Sequence, residues 1–216
     1  MSALGRSAAE SAGPGGPGLR VAGVVPAAGA STRMGAPKAL LDAGGRSFVS
    51  AVVGALVGGG CDPVVVVTAP GQGEVRRRAE SAGARVLVNP EPGEGPITSL
   101  RVALAALGPA VDGVAILPVD HPAVRPETVA ALLEALAAGG APLVLPTVEG
   151  QRGHPAVFHR RLFAELLDPG LEGGARAVVH RHLAEAELVQ VADPGVLADI
   201  DTPDAYRAVF GPGREP

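Results

Sequence analysis

Val21-Ala22-Gly23-Val24-Val25-Pro26-Ala27-Ala28-Gly29-Ala30-Ser31-Thr32-Arg33-Met34-Gly35-Ala36-Pro37-Lys38 is the stretch that decides how the chain is organised. It opens with a short apolar run containing Val21, Val24 and Val25, which predicts a buried strand. The run then gives way to small residues around Gly29 and Gly35 and closes on two cations, Arg33 and Lys38. A strand that empties into such a loop exposes backbone N–H groups to an anion, and the two cations add charge where a polyphosphate would lie. The spacing fits neither the Walker A loop nor the dinucleotide fingerprint, so an ordinary glycine-rich connection stays open as the alternative. One detail favours the anion site. Of 18 basic residues counted as Lys and Arg, Lys38 alone is a lysine, and a compact ammonium meets a phosphate differently from a planar guanidinium.

Outward from this stretch, strands and helices alternate. Strands are predicted near 20–25, 63–68, 84–88, 114–119, 143–146, 156–159 and 188–191. Helices are predicted at 47–58, 73–81, 96–107, 125–138, 160–167, 173–184 and 203–210, the fourth with Leu132, Leu133 and Leu136 on one face. Such alternation builds βαβ units, so the expected class is α/β: a single doubly wound, mostly parallel sheet covered on both faces. One domain is expected over 19–211, between a disordered Gly/Pro-rich tail at 1–18 and a short tail at 212–216. Ligands of such sheets sit beyond the carboxyl ends of the strands, so a candidate motif should directly follow one.

Composition narrows the function. A net charge of −4 argues against nucleic acid or an anionic membrane surface as partner. With one tyrosine, four phenylalanines and no tryptophan, there is little material for stacking on bases. The apolar runs are too short and too often broken to span a bilayer, and no secretory leader is visible, so the expectation is a cytoplasmic protein. Cys61 is the only cysteine, which precludes an internal disulfide.

Four further motifs follow predicted strands or lie near one. In Leu117-Pro118-Val119-Asp120-His121-Pro122, a carboxylate at a strand end suits Mg²⁺ held jointly with substrate phosphates; capping of the next turn is the competing role. Ala198-Asp199-Ile200-Asp201-Thr202-Pro203 reads locally as a helix N-cap with proline in the first turn. Asn89, the chain's one asparagine, is followed by Thr98 and Ser99 at a helix start. Its amide suits a base edge or a ribose and the hydroxyls suit an anion, or all three serve a turn and a cap. Gly153-His154-Pro155 reads as a turn. Arg76-Arg77-Arg78 reads as a solvated helix face, and His180 and His182 are spaced too closely to face one another on a helix.

Taken together, these motifs resemble the nucleotidyltransferases that modify molybdenum cofactor, in the family's order and over about residues 20–210. The family's opening motif stands here as Pro26 to Lys38, with Pro26 where leucine is usual, a feature of the methylerythritol-phosphate cytidylyltransferases. Asp120 with Pro122, the Asp199-to-Pro203 string, Asn89 with Thr98-Ser99-Leu100, Gly153-His154-Pro155 with Phe158, and Gly174-Ala175-Arg176 supply the others.

The resemblance implies a Rossmann-like fold and transfer of CMP from CTP to the terminal phosphate of molybdopterin, with release of pyrophosphate. It implies Mg²⁺ at Asp120 and Asp201, and Arg33 and Lys38 beside the departing pyrophosphate. Ala27, Ala28, Gly29, Asn89, Thr98 and Ser99 would bind the nucleotide, and His154 and Arg176 the acceptor. CTP is expected because Ala27 and Ala28 stand where guanylyl enzymes carry glycines, whereas Pro96 matches the GTP-using branch. Alternatives are another phosphorylated acceptor (methylerythritol phosphate, phospholactate or a sugar phosphate) and a non-catalytic chaperone that passes cofactor to a molybdoenzyme.

Overall fold

The computed structural model describes residues 18–29 and 37–211. Strand β1 (Val21–Pro26) lies inside a sheet whose parallel part is completed by β2 (Val64–Thr68), β3 (Arg85–Val88) and β4 (Gly113–Ile116) in the order β3-β2-β1-β4. The sheet then turns antiparallel through β7 (Ala156–His159) to β5 (Leu143–Val148). Strand β5 pairs with the two-residue strand β6 (Gln151–Arg152) and, in parallel, with β8 (Glu187–Gln190). The doubly wound α/β architecture expected from the alternation is therefore present, with an antiparallel return grafted onto it.

Alternate residues of β1 explain why both faces are covered. Val21 and Val25 pack with helix α1 (Phe48–Gly58) and helix α4 (Pro126–Gly139), whose Val129, Leu132 and Leu136 are buried. Ala22 and Val24 point the other way, toward Leu100, Ala103 and Leu104 of α3 (Pro96–Leu107). Helix α2 (Gly73–Ser81) flanks β3 on the first face, while α5 (Phe163–Leu167) and α6 (Gly174–Arg181) supply Leu166 and Val178 to the second. A central strand whose consecutive residues are all buried, with side chains alternating between its two faces, requires this two-sided cover. The arginine run behaves as a solvated face: Arg77 and Arg78 both pair with Glu74, and Arg76 pairs with Glu80.

The C-terminal helix α7 (Pro203–Phe210) is anchored by scarce aromatics. Tyr206 is fully buried, its ring 6.1 Å from that of Phe48 and 5.0 Å from that of Phe210, and its hydroxyl donates to the Asp42 carbonyl at 2.8 Å. This fixes the chain just after residues 199–201. A second anchor lies just before them. The buried carboxylate of Asp193 accepts from the Arg125 amide (2.9 Å), the Thr128 hydroxyl (2.7 Å) and the Gly195 amide (3.0 Å). It thereby supplies the N-terminus of α4 with a cap from 68 residues away. Asp193→Ala leaves these donors unpaired in the interior and is expected to cost about 3 kcal/mol in urea unfolding. A loss under about 1 kcal/mol would show that the anchor is dispensable.

Candidate functional site

Leaving β1, the chain passes Ala27 and Ala28, both buried, and Gly29, which is exposed; the Ala27 amide donates to the Val67 carbonyl at 2.8 Å. The description resumes at Pro37, so Arg33 and the centre of the glycine-rich loop lie outside the described residues. Lys38 opens a short 3-10 turn (Lys38–Leu40) whose Ala39, together with Leu41, is buried in the core. The lysine is thus held at the sheet edge by its apolar neighbours. Its side chain is only 15% exposed, its Nζ lies 3.5 Å from Asp120 Oδ2, and it forms an ion pair with Asp201.

Asp120 follows β4 by four residues. The backbone brings the second acidic motif to it: the Ile200 amide donates to the Asp120 carbonyl at 2.9 Å, and the Ile200 side chain is completely buried. With Ile200 turned into the core, its neighbours Asp199 and Asp201 remain on the side of Asp120. Thr202 caps α7 by accepting from the Ala205 amide, so helix capping and the acidic pair coexist in one motif.

These groups border a cavity of about 780 Å³, large enough for a nucleotide-sized ligand. Ala27, Ala28, Gly29, Lys38, Ser99, Asp120, His154 and Arg176 all line it, so the structure brings together eight of the residues singled out from sequence. The N-terminus of α3 contributes Gly95, Pro96 and Ile97 to the wall; the Gly95 and Ile97 amides lack helical acceptors and favour an anion, while Pro96 has no N–H to offer. A smaller cavity of about 360 Å³ shares His154 and Arg176 and adds Arg152 and His180 over an apolar floor that includes Leu145 and Phe158.

Three residues are placed differently from expectation. Asn89 is 1% exposed and turns inward: its amide nitrogen donates to Thr98 Oγ1 (2.8 Å) and Ser99 Oγ (3.1 Å), and its Oδ1 accepts from the Glu91 amide (2.9 Å). An amide so engaged fastens the 89–95 loop to α3 and does not meet a base edge directly. Thr98 likewise donates to the Gly95 carbonyl at 2.8 Å and stays off the cavity wall. Asp201, expected to share a cation with Asp120, is met by the Lys38 ammonium.

Two side chains to which the sequence assigned no site role sit beside Asp120. His121 is buried, with Nε2 3.9 Å from Asp120 Oδ1 and its ring centroid 4.7 Å from that of His154. Burial pushes the His121 imidazole below its usual range, partly offset by Asp120 and Asp199, and pushes His154 down to about 4, so both rings are neutral near pH 7. Ligand atoms of Asp120, His121 and Asp199 all lie within 4.8 Å of one another. In the primary sequence His121 occupied the variable place between Asp120 and Pro122, and Asp199 looked like part of a cap; the Ile200–Asp120 hydrogen bond has no local signal. The approach of His154 depends on Gly153, where a Cβ would fall 2.2 Å from the Val196 carbonyl oxygen, and the His154 amide donates to that same oxygen at 2.9 Å.

Residues 23–186 match the MobA-like NTP transferase domain. The chain belongs to that family. Among relatives of this MobA-like chain, a probable molybdenum cofactor guanylyltransferase of Mycolicibacterium paratuberculosis is 32% identical over 197 residues, covering 88% of this chain and 95% of the relative. Nicotine blue oxidoreductase of Paenarthrobacter nicotinovorans is 30% identical over 190 residues, covering 84% and 92%. The crystal structure of Rv0371c from Mycobacterium tuberculosis superposes with a TM-score of 0.74 at 29% identity, over 89% of this chain and 98% of that one. A manganese complex of Rv0371c superposes with a TM-score of 0.71 at 27% identity, over 89% and 99%. The MobA-like chain is thus a nucleotidyltransferase of the molybdenum cofactor guanylyltransferase-like type, and among its described residues no helix is long and apolar enough to cross a membrane.

Proposed function

We propose that this nucleotidyltransferase moves CMP from CTP to the terminal phosphate of molybdopterin and releases pyrophosphate. The observation that carries the reading is the position of Lys38, held against Asp120 and Asp201 where β1 and β4 open into the large cavity. An oxygen of the acceptor phosphate attacks the α-phosphorus of the nucleotide in line, and the bond to the β-phosphate breaks with its electrons leaving on pyrophosphate. When bound, a divalent cation, Mg²⁺ on the sequence expectation, supplies charge neutralisation at the phosphate oxygens. Asp120 would hold it. Lys38, with Arg33 from the same loop, would balance the charge that develops on pyrophosphate. The amides of Ala28, Gly29 and Ile97 would orient the nucleotide, with Ser99 at the wall and Asn89 and Thr98 holding that wall in place.

His154 and Arg176 border both cavities and would carry the acceptor from the smaller into the larger, reactive one. The reaction belongs in the cytoplasm under this reading, with a molybdoenzyme as a candidate partner for its product.

The choice of CTP rests on Ala27 and Ala28, which line the cavity and whose side chains would narrow the space for a base and suit a pyrimidine. A second reading, transfer of GMP from GTP, is favoured by Pro96 and by the guanylyltransferase names of relatives such as the Mycolicibacterium paratuberculosis protein. Supplying molybdopterin with each nucleotide alone and weighing the product decides between them. A cytosine dinucleotide supports the first reading, and a guanine dinucleotide replaces it with the second. No product from either, with pyrophosphate released when another phosphorylated acceptor is offered, would retain nucleotidyl transfer and reject molybdopterin.

A further inference from the structure

The large cavity opens sideways into a pocket of about 350 Å³, and Ala28, Gly29, Pro37, Gln72 and Pro92 border both. The strand order β3-β2-β1-β4-β7-β5 gives this side pocket its place. Lys38 and Asp120 follow β1 and β4, and the cavity shared by His154 and Arg176 lies toward β7 and β5. The side pocket lies on the opposite flank, where Ala69 and Gln72 follow β2 and Pro92 and Gly93 follow β3. With phosphates at the Lys38 end and the acceptor arriving from the β7 flank, the base of the nucleotide is left to this pocket.

The chemistry of the walls agrees. Among the described residues the pocket is lined by Ala, Gly, Pro and one glutamine, which suits a flat, uncharged ring. Glu94, the one charged side chain that the loops after β2 and β3 bring to the adjoining wall of the large cavity, is negative and disfavours phosphate on this flank. Gln72 precedes α2 without capping it. Its Oε1 accepts from the Ala69 amide at 3.0 Å. That bond fixes the turn of the carboxamide, because a flip would set its NH₂ group against an N–H donor. The NH₂ group, with two hydrogens to give, meets no acceptor among the described residues.

We propose that Gln72 reads the nucleobase: its NH₂ group donates to a carbonyl oxygen of a base seated in the side pocket, which selects cytosine or guanine over adenine. Glutamine ordinarily reads adenine with both ends of the amide, accepting from N6 and donating to N7. With its carbonyl engaged by Ala69, Gln72 offers only the donor, and O2 of cytosine or O6 of guanine accepts from it. Adenine has no carbonyl and turns its own amino group toward such a donor. The proposal rests on the nucleotidyl-transfer reading for the class of ligand, and it holds for either CTP or GTP.

The experiment measures binding of CTP, GTP, ATP and inorganic tripolyphosphate to the full chain by calorimetry, with Mg²⁺ and without acceptor. The wild type should bind the better of CTP and GTP at least about fivefold more tightly than ATP. Gln72→Leu should bring that ratio to within about twofold of one. Gln72→Glu is the sharper variant. Its carboxylate can still accept from the Ala69 amide, but it puts an acceptor where the donor was, so the ratio should invert in favour of ATP. Tripolyphosphate, which has no base, should bind all three proteins within about threefold, the added charge of Glu being its only handicap. Base preference unchanged in both variants overturns the proposal, as does wild-type ATP binding as tight as that of CTP and GTP, or a loss of tripolyphosphate as large as that of the nucleotides. Transfer of nucleotide with a base preference indifferent to Gln72 would overturn this inference and leave the functional reading standing. A preference that follows Gln72 in a chain that transfers to no acceptor would do the reverse.

Discussion

Asp120→Asn is expected to lower nucleotidyl turnover by about a thousandfold while the chain melts within about 2 °C of the wild type. The substitution keeps size and shape and removes one negative charge. That charge serves both sides of the site: Oδ2 faces Lys38 and Oδ1 faces His121. Losing it weakens the hold on a divalent cation and leaves the Lys38 ammonium balanced by Asp201 alone. The fold should not notice, because the structural tie at this position is the Asp120 carbonyl, which accepts from the Ile200 amide, and the side chain is 25% exposed. Steady-state kinetics and a circular-dichroism melt on the same preparation check both halves. Turnover within about threefold of wild type would remove Asp120 from the chemistry.

Lys38→Ala should reduce kcat/KM by about a hundredfold to a thousandfold, with a rise in KM for the nucleotide as well as a fall in kcat. The ammonium occupies a place that no neighbouring cation is positioned to fill among the described residues, since the cavity lining otherwise holds one basic side chain outside the histidines, Arg176. Arginine is a poor replacement. Its planar fork is larger than an ammonium and spreads its charge, and the 15% exposed side chain leaves little room between Asp120 and Asp201. Lys38→Arg should therefore recover less than about a tenth of the lost rate. Full recovery by arginine, or an alanine variant within about threefold of wild type, would show that this position needs only generic positive charge or none.

Much of the architecture was legible because its causes are local. Short apolar runs in β1 and β2, helical spacing in α1, α3 and α4, and glycine or proline at their ends all leave marks in consecutive residues. The antiparallel return was not legible: whether β7 joins β4 parallel or antiparallel depends on the β5–β6 turn at Glu149-Gly150 and on the 153–155 break, not on the strand composition.

The same division holds at the site. Lys38, Asp120 and the Ala27–Gly29 segment follow strands and fall at the sheet's carboxyl edge, as such folds require. Asn89 was misleading because a lone amide near a ligand loop has two physically good uses, and here the interior one is realised through Thr98 and Ser99. His121 and Asp199 escaped notice because their significance arises only when residues 120 and 200 meet through a backbone hydrogen bond across 80 positions.

The most direct test of the account is pyrophosphate release from CTP and from GTP with molybdopterin as acceptor, with and without added divalent cation. The account predicts release that requires both acceptor and cation, proceeds with CTP in preference to GTP, and falls to background in Asp120→Asn. Release equal in wild type and Asp120→Asn, or none with any phosphorylated acceptor despite a working control enzyme, would contradict it.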